Sequence, residues 1–329
     1  MSKQLANMAA ILSTGVAPGI LSGAYANDFS LLQGSIFDGL NEVSREMTGF
    51  IPAAARNSDA ERAEVGQSVS YPIIKVADAV NTTPSMTPPD PPDLQTDTET
   101  LSISKSKNVS FGFTGEQTQG LRTGTGVSTV VSQAVAEALR KLVNEIEQDL
   151  ATEARTNVGR VVGTAGTTPY QSGVRDNALV MKVLKENGAP LQNVAQIVNF
   201  ETGVELLSND NLVKVNESGD TMNLRQGVIG RLGGAYIAET AASLAHTSSA
   251  TASVTSSGAV HAAGATVLAL NKTGLIVGDV IKFASHADWY TVVAASGTTV
   301  TIAEPGLRAA VPATNAVTLA ADYNGNIAM

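Results

Sequence analysis

The feature that most constrains this chain is a stretch of two-residue alternation that leads directly into one long helical pattern. Val69, Tyr71 and Ile73 alternate with Ser68, Ser70 and Pro72. After a proline-rich tip the alternation resumes, with apolar residues at Leu101, Ile103, Val109, Phe111 and Phe113. Alternation with this period predicts strands with one apolar and one polar face. We therefore predict an extended β-hairpin. Since an isolated hairpin has little core of its own, its apolar face needs another surface, and a neighbouring subunit is the obvious candidate.

A second pattern, over residues 127–162, predicts the longest helix of the chain, roughly 50 Å long at 1.5 Å per residue. Apolar residues recur every three to four positions, at Val131, Val135, Leu139, Leu142, Ile146 and Leu150. Gly163 and Gly166 are expected to end the helix. Carboxylates also lie along it, at Glu145, Glu147, Asp149 and Glu153. We interpret them as a solvated charged face rather than as a pair for acid–base chemistry.

Composition and charge exclude several classes of function. The 329 residues are 43% hydrophobic, which is enough for more than one domain. The net charge is −9, with no basic run, so we expect no tight nucleic-acid binding. There is no cysteine, hence no disulfide and no thiolate site. No apolar run reaches the roughly 20 residues that span a bilayer, and we expect no membrane partner. Ala24-Tyr25-Ala26 resembles a signal-peptidase site, but the stretch before it is poorly apolar, and we expect residues 1–26 to be retained.

The centre of the chain predicts a mixed α/β region. Asp176 is expected to cap a helix through Lys185, which Asn187-Gly188 ends. A buried strand over Val194–Asn199, a short helix over Glu201–Leu207 and a glycine-punctuated strand and turn over Leu224–Ile237 follow. Near the N-terminus, a helical pattern follows Asp28.

The composition changes after this region. Residues 246–264 are rich in Ser, Thr, Ala and Gly and are predicted to be a linker. Strand signals alone follow, over Thr266–Leu270, Asp279–Phe283, Trp289–Val293, Thr298–Ile302 and Ala316–Leu319. They predict a small β-barrel or sandwich module, either inserted or appended.

The motifs that carry chemistry are weak. The glycines at 120, 124 and 126 resemble a phosphate cradle but lack its lysine, and we interpret them as a hinge between hairpin and helix. His246, His261 and His286 are not spaced as metal ligands, and we assign them structural or solvent-facing roles. The Trp289-Tyr290 pair is interpreted as core rather than as a sugar-stacking platform. No catalytic, cofactor-binding or metal-ligating residue is assigned, and no cofactor is expected.

Acidic residues also mark the tip of the hairpin. Asp90 and Asp93 lie there among Pro84, Pro88, Pro89, Pro91 and Pro92. They are candidates for contacts with basic residues on a neighbouring copy.

A family becomes recognisable from Asn177 onward. The run Asn177-Ala-Leu-Val-Met-Lys-Val-Leu-Lys-Glu-Asn-Gly-Ala-Pro190-Leu, followed by a buried strand, resembles the major capsid proteins of tailed bacteriophages. The similarity continues through Leu206-Leu207, Leu212-Val213-Lys214 and Leu224–Gly234. The nearest resemblance is to coat proteins of short-tailed phages that carry an extra β-domain.

The resemblance implies an α+β capsid fold. Its parts would be an N-terminal arm (1–65), an extended loop or β-hairpin (66–118), a spine helix with the peripheral domain (119–173), an axial or shell domain (174–245), a small β-module (246–320) and a C-terminal tail (321–329). Family members usually continue with shell-domain residues after a segment like Tyr323–Met329, so we expect a short member or a shortened chain.

The implied function is self-assembly, without enzymatic activity, into hexamers and pentamers of an icosahedral phage head that encloses packaged DNA. Its partners would be further copies of itself, with scaffolding and portal proteins. Its location would be the virion capsid, assembled in the cytoplasm of the bacterial host. The alternative is a secreted β-rich adhesin or carbohydrate-binding protein, which would use Ala24-Tyr25-Ala26 as a cleavage site and the β-module as its binding domain. An enzyme is a more distant third reading.

Overall fold

The computed structural model describes residues 48–55, 65–74, 96–110, 112, 127–171, 173–213, 230–249, 254–256 and 258–328. It contains both helices and sheets that are mostly antiparallel, which confirms the α+β class. The helical pattern after Asp28, the proline-rich tip with Asp90 and Asp93, and the glycines at 120–126 lie outside the described residues. Two units are distinguished along the chain, residues 55–110 and all the rest.

The first unit contains the predicted hairpin. Strand β1 (Ser68–Ile74) pairs antiparallel with β2 (Thr96–Ser102), from Ser68 opposite Ser102 to Ile74 opposite Thr96. The predicted alternation of the second arm places a strand over 101–113, and this is wrong for most of its length. Beyond a backbone pair between Ile103 and residues 66–67, residues 104–110 form no strand. Strand pairing in the described part of this unit begins with Ser68 opposite Ser102, so the polar alternation of residues 104–110 does not produce a strand.

The long helix α2 runs over Val127–Thr156, after the short helix α1 (Phe50–Ala53). Its 30 residues make it about 45 Å long. The predicted end at 162 is therefore wrong by six residues. The side chain of Asn157 folds back onto the last turn and donates to the carbonyl of Glu153 at 3.0 Å. The chain then leaves the helical path, because Gly159 approaches the backbone of Glu304 and Val161 pairs with Trp289.

A four-stranded sheet forms the centre of the α/β region, in the order β14-β3-β5-β4. Its strands are β3 (Ala195–Val198), β4 (Arg231–Leu232), β5 (Ala235–Glu239) and β14 (Ile327–Ala328). Strands β3 and β5 are parallel, and the other two pairs are antiparallel. Ile197 packs with Phe50 and Ala151, whereas Val198 packs with Leu206. Because neighbouring residues of a strand point to opposite faces, the sheet is covered on both sides, by α2 and by the helix that contains Leu206.

The helices of this region are α3 (Arg175–Glu186), α4 (Phe200–Ser208) and α5 (Asp210–Val213). The predicted stop at Asn187-Gly188 is confirmed, with Gly188 at φ 71°. The prediction that Asp176 caps α3 is wrong, since the cap position is Val174. The carboxylate of Asp176, in the first turn, instead accepts a hydrogen bond from the backbone N–H of Tyr170 at 2.7 Å.

The β-module is a barrel of six strands in the order β7-β12-β9-β10-β11-β8. The strands are β7 (Val254–Thr255), β8 (Val267–Ala269), β9 (Val280–Phe283), β10 (Tyr290–Ser296), β11 (Thr299–Ile302) and β12 (Ala316–Leu319). An antiparallel bridge between Ser256 and Leu270 joins the two outer strands. This bridge closes the sheet, so that its edges pair with each other. The apolar core inside includes Leu268, Phe283 and Tyr290.

The barrel is inserted into the α/β region, which decides between the two placements that the sequence allowed. The chain leaves through β6 (Ala245–His246) and returns through β13 (Tyr323–Asn324), and these two strands pair. It then ends in β14, which pairs with β3. Residues expected to form a linker or a tail are therefore partly strands. The domain boundaries themselves remain predictions.

Candidate functional site

The hairpin unit has no buried residue among those of its residues whose burial is described. In the antiparallel register, directly opposed residues share a face. One face presents the side chains of Ser68, Ser70, Pro72, Thr96, Thr98, Thr100 and Ser102, all of them exposed. On the other face Val69 is opposite Leu101, whose side chain is 58% exposed. Among the residues whose burial is described, the ribbon therefore offers a hydroxyl-rich face and one exposed apolar side chain, Leu101, and it gains little stability from its own packing.

A second feature is the carboxylate of Glu147, in the middle of α2. Its Oε1 accepts hydrogen bonds from the N–H groups of Gly49 (2.6 Å) and Phe50 (2.9 Å) and from the Thr240 hydroxyl (2.7 Å). Its Oε2 accepts one from the N–H of Ile51 at 3.0 Å. Glu147 is 2% exposed, so its interpretation as part of a solvated charged face is wrong. It holds the first turn of α1, whose N–H groups have no partner within the helix.

Helix α2 also holds the segment that leads to the barrel. Gln148 exchanges two hydrogen bonds with Ser243, from its Nε2 to the carbonyl (3.2 Å) and from the backbone N–H to its Oε1 (2.9 Å). Two turns further on, Arg155 donates to the carbonyl of Ala245. Side chains on successive turns of α2 thus satisfy backbone groups of Ser243 and of Ala245, where β6 begins.

The junction between the α/β region and the barrel is centred on Asp279. Its carboxylate, fully buried, accepts hydrogen bonds from the N–H groups of Ile276 (3.0 Å) and Ser249 (3.1 Å) and from the Ser249 hydroxyl (2.6 Å). His246 Nε2 lies 3.0 Å from its Oδ1. Burial alone would raise the pKa of Asp279, but these hydrogen bonds outweigh it and hold the pKa below the usual range. The hydroxyl of Tyr323 closes the junction by donating to the carbonyl of Gly278 at 2.7 Å.

A cavity of ≈ 890 Å³ lies beside this junction. Its wall is formed by residues of α3, by the segment 158–171, and by the barrel residue Trp289. Tyr170 also lines it and donates a hydrogen bond to Gln196 Oε1, whose amide in turn donates to Asn177 at 2.6 Å. Burial, aided by the nearby Asp176, raises the pKa of Tyr170 to about 12. These groups are satisfied by one another and form a structural polar cluster behind α3.

The residues considered for chemistry are dispersed. His246 pairs with Asp279, His261 bridges to Val311, and the Nδ1 of His286 lies 2.7 Å from the hydroxyl of Tyr290. Among the described residues, no group of three or more His, Asp or Glu side chains could hold a metal ion. The barrel brings no two of the three histidines together.

The aromatic pair does not form a platform. Tyr290 is fully buried in the barrel core, whereas Trp289 is half-buried and pairs through its backbone with Val161. The interpretation of Tyr290 as core is confirmed. Trp289 lies instead at the contact between the barrel and the α/β region. Within the described part of the chain, no helix is both long enough and apolar enough to cross a membrane.

Sequence reasoning missed Glu147 and Asp279. Glu147 stands among other acidic residues of α2, and only its position beside the apolar stripe (Ile146, Leu150) signals that it is turned inward. Asp279 follows Gly278 and was interpreted only as the start of a strand. In both cases the one signal for a buried carboxylate is an adjacent apolar residue, Ile146 or Val280.

No protein-family model matches the chain, and no curated protein sequence matches it. Fourteen chains of solved structures do match. A chain from Mycobacterium phage Che8 is 18% identical, with a TM-score of 0.47, over 85% of this chain and 90% of that one. A chain of the cyanophage P-SCSP1u capsid is 11% identical, with a TM-score of 0.41, over 80% and 84%. A chain of a virus-like particle from Pyrococcus furiosus is 13% identical, with a TM-score of 0.38, over 92% and 100%.

Proposed function

We propose that this chain is a shell-forming structural protein of the tailed-phage major capsid type. It self-assembles into hexamers and pentamers of an icosahedral head that encloses DNA, with scaffolding and portal proteins as partners during assembly in the bacterial host. Its function is to associate with other copies by burying surface between them, and this requires no catalysed reaction. The resemblance of residues 177–234 to phage coat proteins motivates this proposal.

The observation that carries the proposal is the hairpin unit. A two-stranded ribbon is at best marginally stable alone and requires a third strand or a packed surface. In this chain seven opposed residue pairs form such a ribbon, and no residue of it whose burial is described is buried. A surface on a second copy would supply the missing burial.

The anchoring of α1 supports the same conclusion. Residues 49–51 are held by a buried carboxylate in the middle of the longest helix. The 48 residues before them therefore join the subunit at one defined point. An N-terminal arm that reaches towards a neighbouring copy needs such an attachment, because the long helix then fixes the position from which the arm extends.

The charge supports enclosure of DNA rather than binding to it. The chain carries 30 acidic and 21 basic residues. A nucleic-acid-binding surface gains its affinity by neutralising phosphates, which this balance disfavours. A negatively charged wall repels DNA weakly and leaves it free to be packed and released.

The first test is negative-stain electron microscopy with size-exclusion light scattering. The protein would be expressed with and without phage assembly partners. We expect closed shells, or rings of five and six subunits. A compact monomer under all these conditions would overturn the proposal.

A substitution pair tests the role of the hairpin. Leu101→Lys removes the exposed apolar position, and Ser102→Lys places the same charge on the opposite face of the same strand. Both residues are exposed, so subunit stability should change by less than about 0.5 kcal/mol. Burial of a leucine in a contact is worth about 1.5–3 kcal/mol. We therefore expect Leu101→Lys to weaken association roughly tenfold to a hundredfold per contact, measured by light scattering. Equal assembly of Leu101→Lys and Ser102→Lys would show that this face is not the contact.

A further inference from the structure

Residues 158–162 follow Asn157 after the end of α2 and contact the barrel through Gly159, Arg160 and Val161; we name this segment the strap. The N–H of Val161 donates to the carbonyl of Trp289 at 3.3 Å. Gly159 is so close to the barrel that a Cβ at this position would lie 2.1 Å from the carbonyl oxygen of Glu304. Only glycine permits this approach, since any side chain would force the two backbones apart.

Arg160 makes the most extensive contact of the strap. Its Nη2 donates to the carbonyl of Gly306 at 2.7 Å, and its guanidinium lies 4.8 Å from the centre of the Tyr290 ring. Burial lowers the pKa of Arg160, while the neighbouring Tyr290 and Asp288 act in the opposite direction. The guanidinium of Arg160 is partly desolvated and interacts instead with carbonyl oxygens and an aromatic ring. Its interaction energy therefore depends strongly on its position, because a displacement would break all of these contacts together.

Two further attachments hold the barrel at other places. The first is the stem, the paired strands β6 and β13 with the junction at Asp279. The second is Arg308, whose Nη1 lies 2.9 Å from Glu186 Oε2 at the end of α3, while its Nε lies 3.1 Å from Asp288 Oδ2. The hydrogen bond from Arg308 lowers the pKa of Glu186, and the same bond raises the pKa of Arg308. The barrel is thus attached to α3, to the strap and to its own stem.

We propose that the strap couples the long helix α2 to the inserted barrel, so that the two reorient as one rigid body. Domains joined by a two-strand stem move relative to each other by default, unless an additional contact restrains them. The strap is the direct continuation of α2, and therefore any tilt of the helix is passed to the barrel through Gly159, Arg160 and Val161. The functional meaning rests on the proposed function: a shell subunit whose helix re-angles during maturation would carry its barrel with it.

Pulsed electron–electron resonance between two spin labels tests this coupling. The chain has no cysteine, so labels can be placed without removing any native residue. Lys141→Cys on α2 and Thr299→Cys on the barrel are exposed positions. In this double-cysteine background we expect one narrow distance distribution. Gly159→Ala should broaden it roughly twofold or more, as for a domain released to hinge motion. Gly112→Ala, a glycine with open space around its Cβ position, is the matched control and should leave the width unchanged.

The single tryptophan, Trp289, reports whether the barrel stays folded, through its fluorescence. If Gly159→Ala disturbs folding, Arg160→Met decides the question, because it keeps the apolar stem of the side chain but removes the guanidinium contacts. Broadening in Arg160→Met with native fluorescence supports the coupling. A narrow distribution in Arg160→Met, or in a folded Gly159→Ala, overturns it. The measurement is made on the full-length subunit in solution, and its result does not depend on whether the chain assembles into shells.

Discussion

The buried carboxylate of Glu147 allows one prediction to be worked out from the contacts. It accepts three backbone N–H groups and one hydroxyl, and all four donors lie outside its own helix. Glu147→Ala would leave these donors without an acceptor. Glu147→Gln keeps the size of the side chain but replaces one of the two acceptor oxygens with a donor group.

The expected magnitudes follow from the geometry. A hydrogen bond to a charged group contributes about 1.5–3 kcal/mol, and a buried donor left unsatisfied costs about 1–3 kcal/mol. In Glu147→Gln the remaining oxygen can take the place of Oε1 and keep three bonds in uncharged form, while the amide N–H₂ faces the N–H of Ile51. We expect a loss of about 3 kcal/mol. Glu147→Ala, which removes all four bonds, should cost about 5 kcal/mol, a large part of a typical folding free energy.

The assay combines urea unfolding with hydrogen exchange of residues 48–55. Glu137→Gln is the matched control, because Glu137 lies on the same helix and is 71% exposed at the side chain in an ion pair with Arg140. Exposed pairs of this kind contribute at most about 1 kcal/mol. In Glu147→Gln, exchange in residues 49–51 should rise at least tenfold, and in Glu137→Gln it should not change. A free energy of unfolding for Glu147→Gln within about 0.5 kcal/mol of the native chain would refute this reasoning.

Two further predictions concern pH. Because the pKa of Asp279 is lowered in the fold, its carboxylate stabilises the fold above the unfolded pKa of about 3.9, and this stabilisation is lost as pH falls through the folded pKa. The midpoint of thermal unfolding of the native chain, followed by Trp289 fluorescence, should therefore drop at acid pH. Asp279→Asn should flatten this drop and should cost about 2–4 kcal/mol of stability at pH 7. A midpoint equally acid-sensitive in Asp279→Asn would contradict this. The pKa of Tyr170, raised to about 12, favours the neutral hydroxyl in the fold, so about 3 kcal/mol of stability present below pH 10 should be lost between about pH 10 and pH 12. Tyr170→Phe should remove that alkaline loss in urea unfolding, and an unchanged slope would contradict the assignment.

Sequence patterns predicted helices and strands well where residues close in the sequence determine the structure. The strands Val280–Phe283 and Ala316–Leu319 lie within one residue of their predicted bounds, because short runs rich in β-branched residues and flanked by turn signals are predicted reliably as strands. The end of α2 was missed because Val158, Val161 and Val162 continue the apolar pattern past the true end at Thr156. Instead of continuing the helix, the backbone of Val161 pairs with that of Trp289 in the barrel, 128 positions further along the sequence.

Pairings between distant strands could not be predicted either, because they depend on contacts between residues far apart in the sequence. Nothing in the polar segment Asn324–Asn326 indicates that Ile327 pairs with Ile197, 130 positions earlier. The two buried carboxylates are similar, because Glu147 and Asp279 are defined by donors from distant segments. A carboxylate in a single sequence is solvated by default, and only the folded chain shows which of them are enclosed.

The pairing of β6 with β13 has a consequence for how such a chain can change. The barrel enters and leaves the α/β region through adjacent, hydrogen-bonded strands, so the two ends of the insertion stand about 5 Å apart. A short turn could join these ends without moving the central sheet. The barrel also has a core built from its own residues. The position between Thr247 and Asp322 is therefore a natural insertion site, at which one folded domain can be replaced by another while the α/β region keeps its geometry.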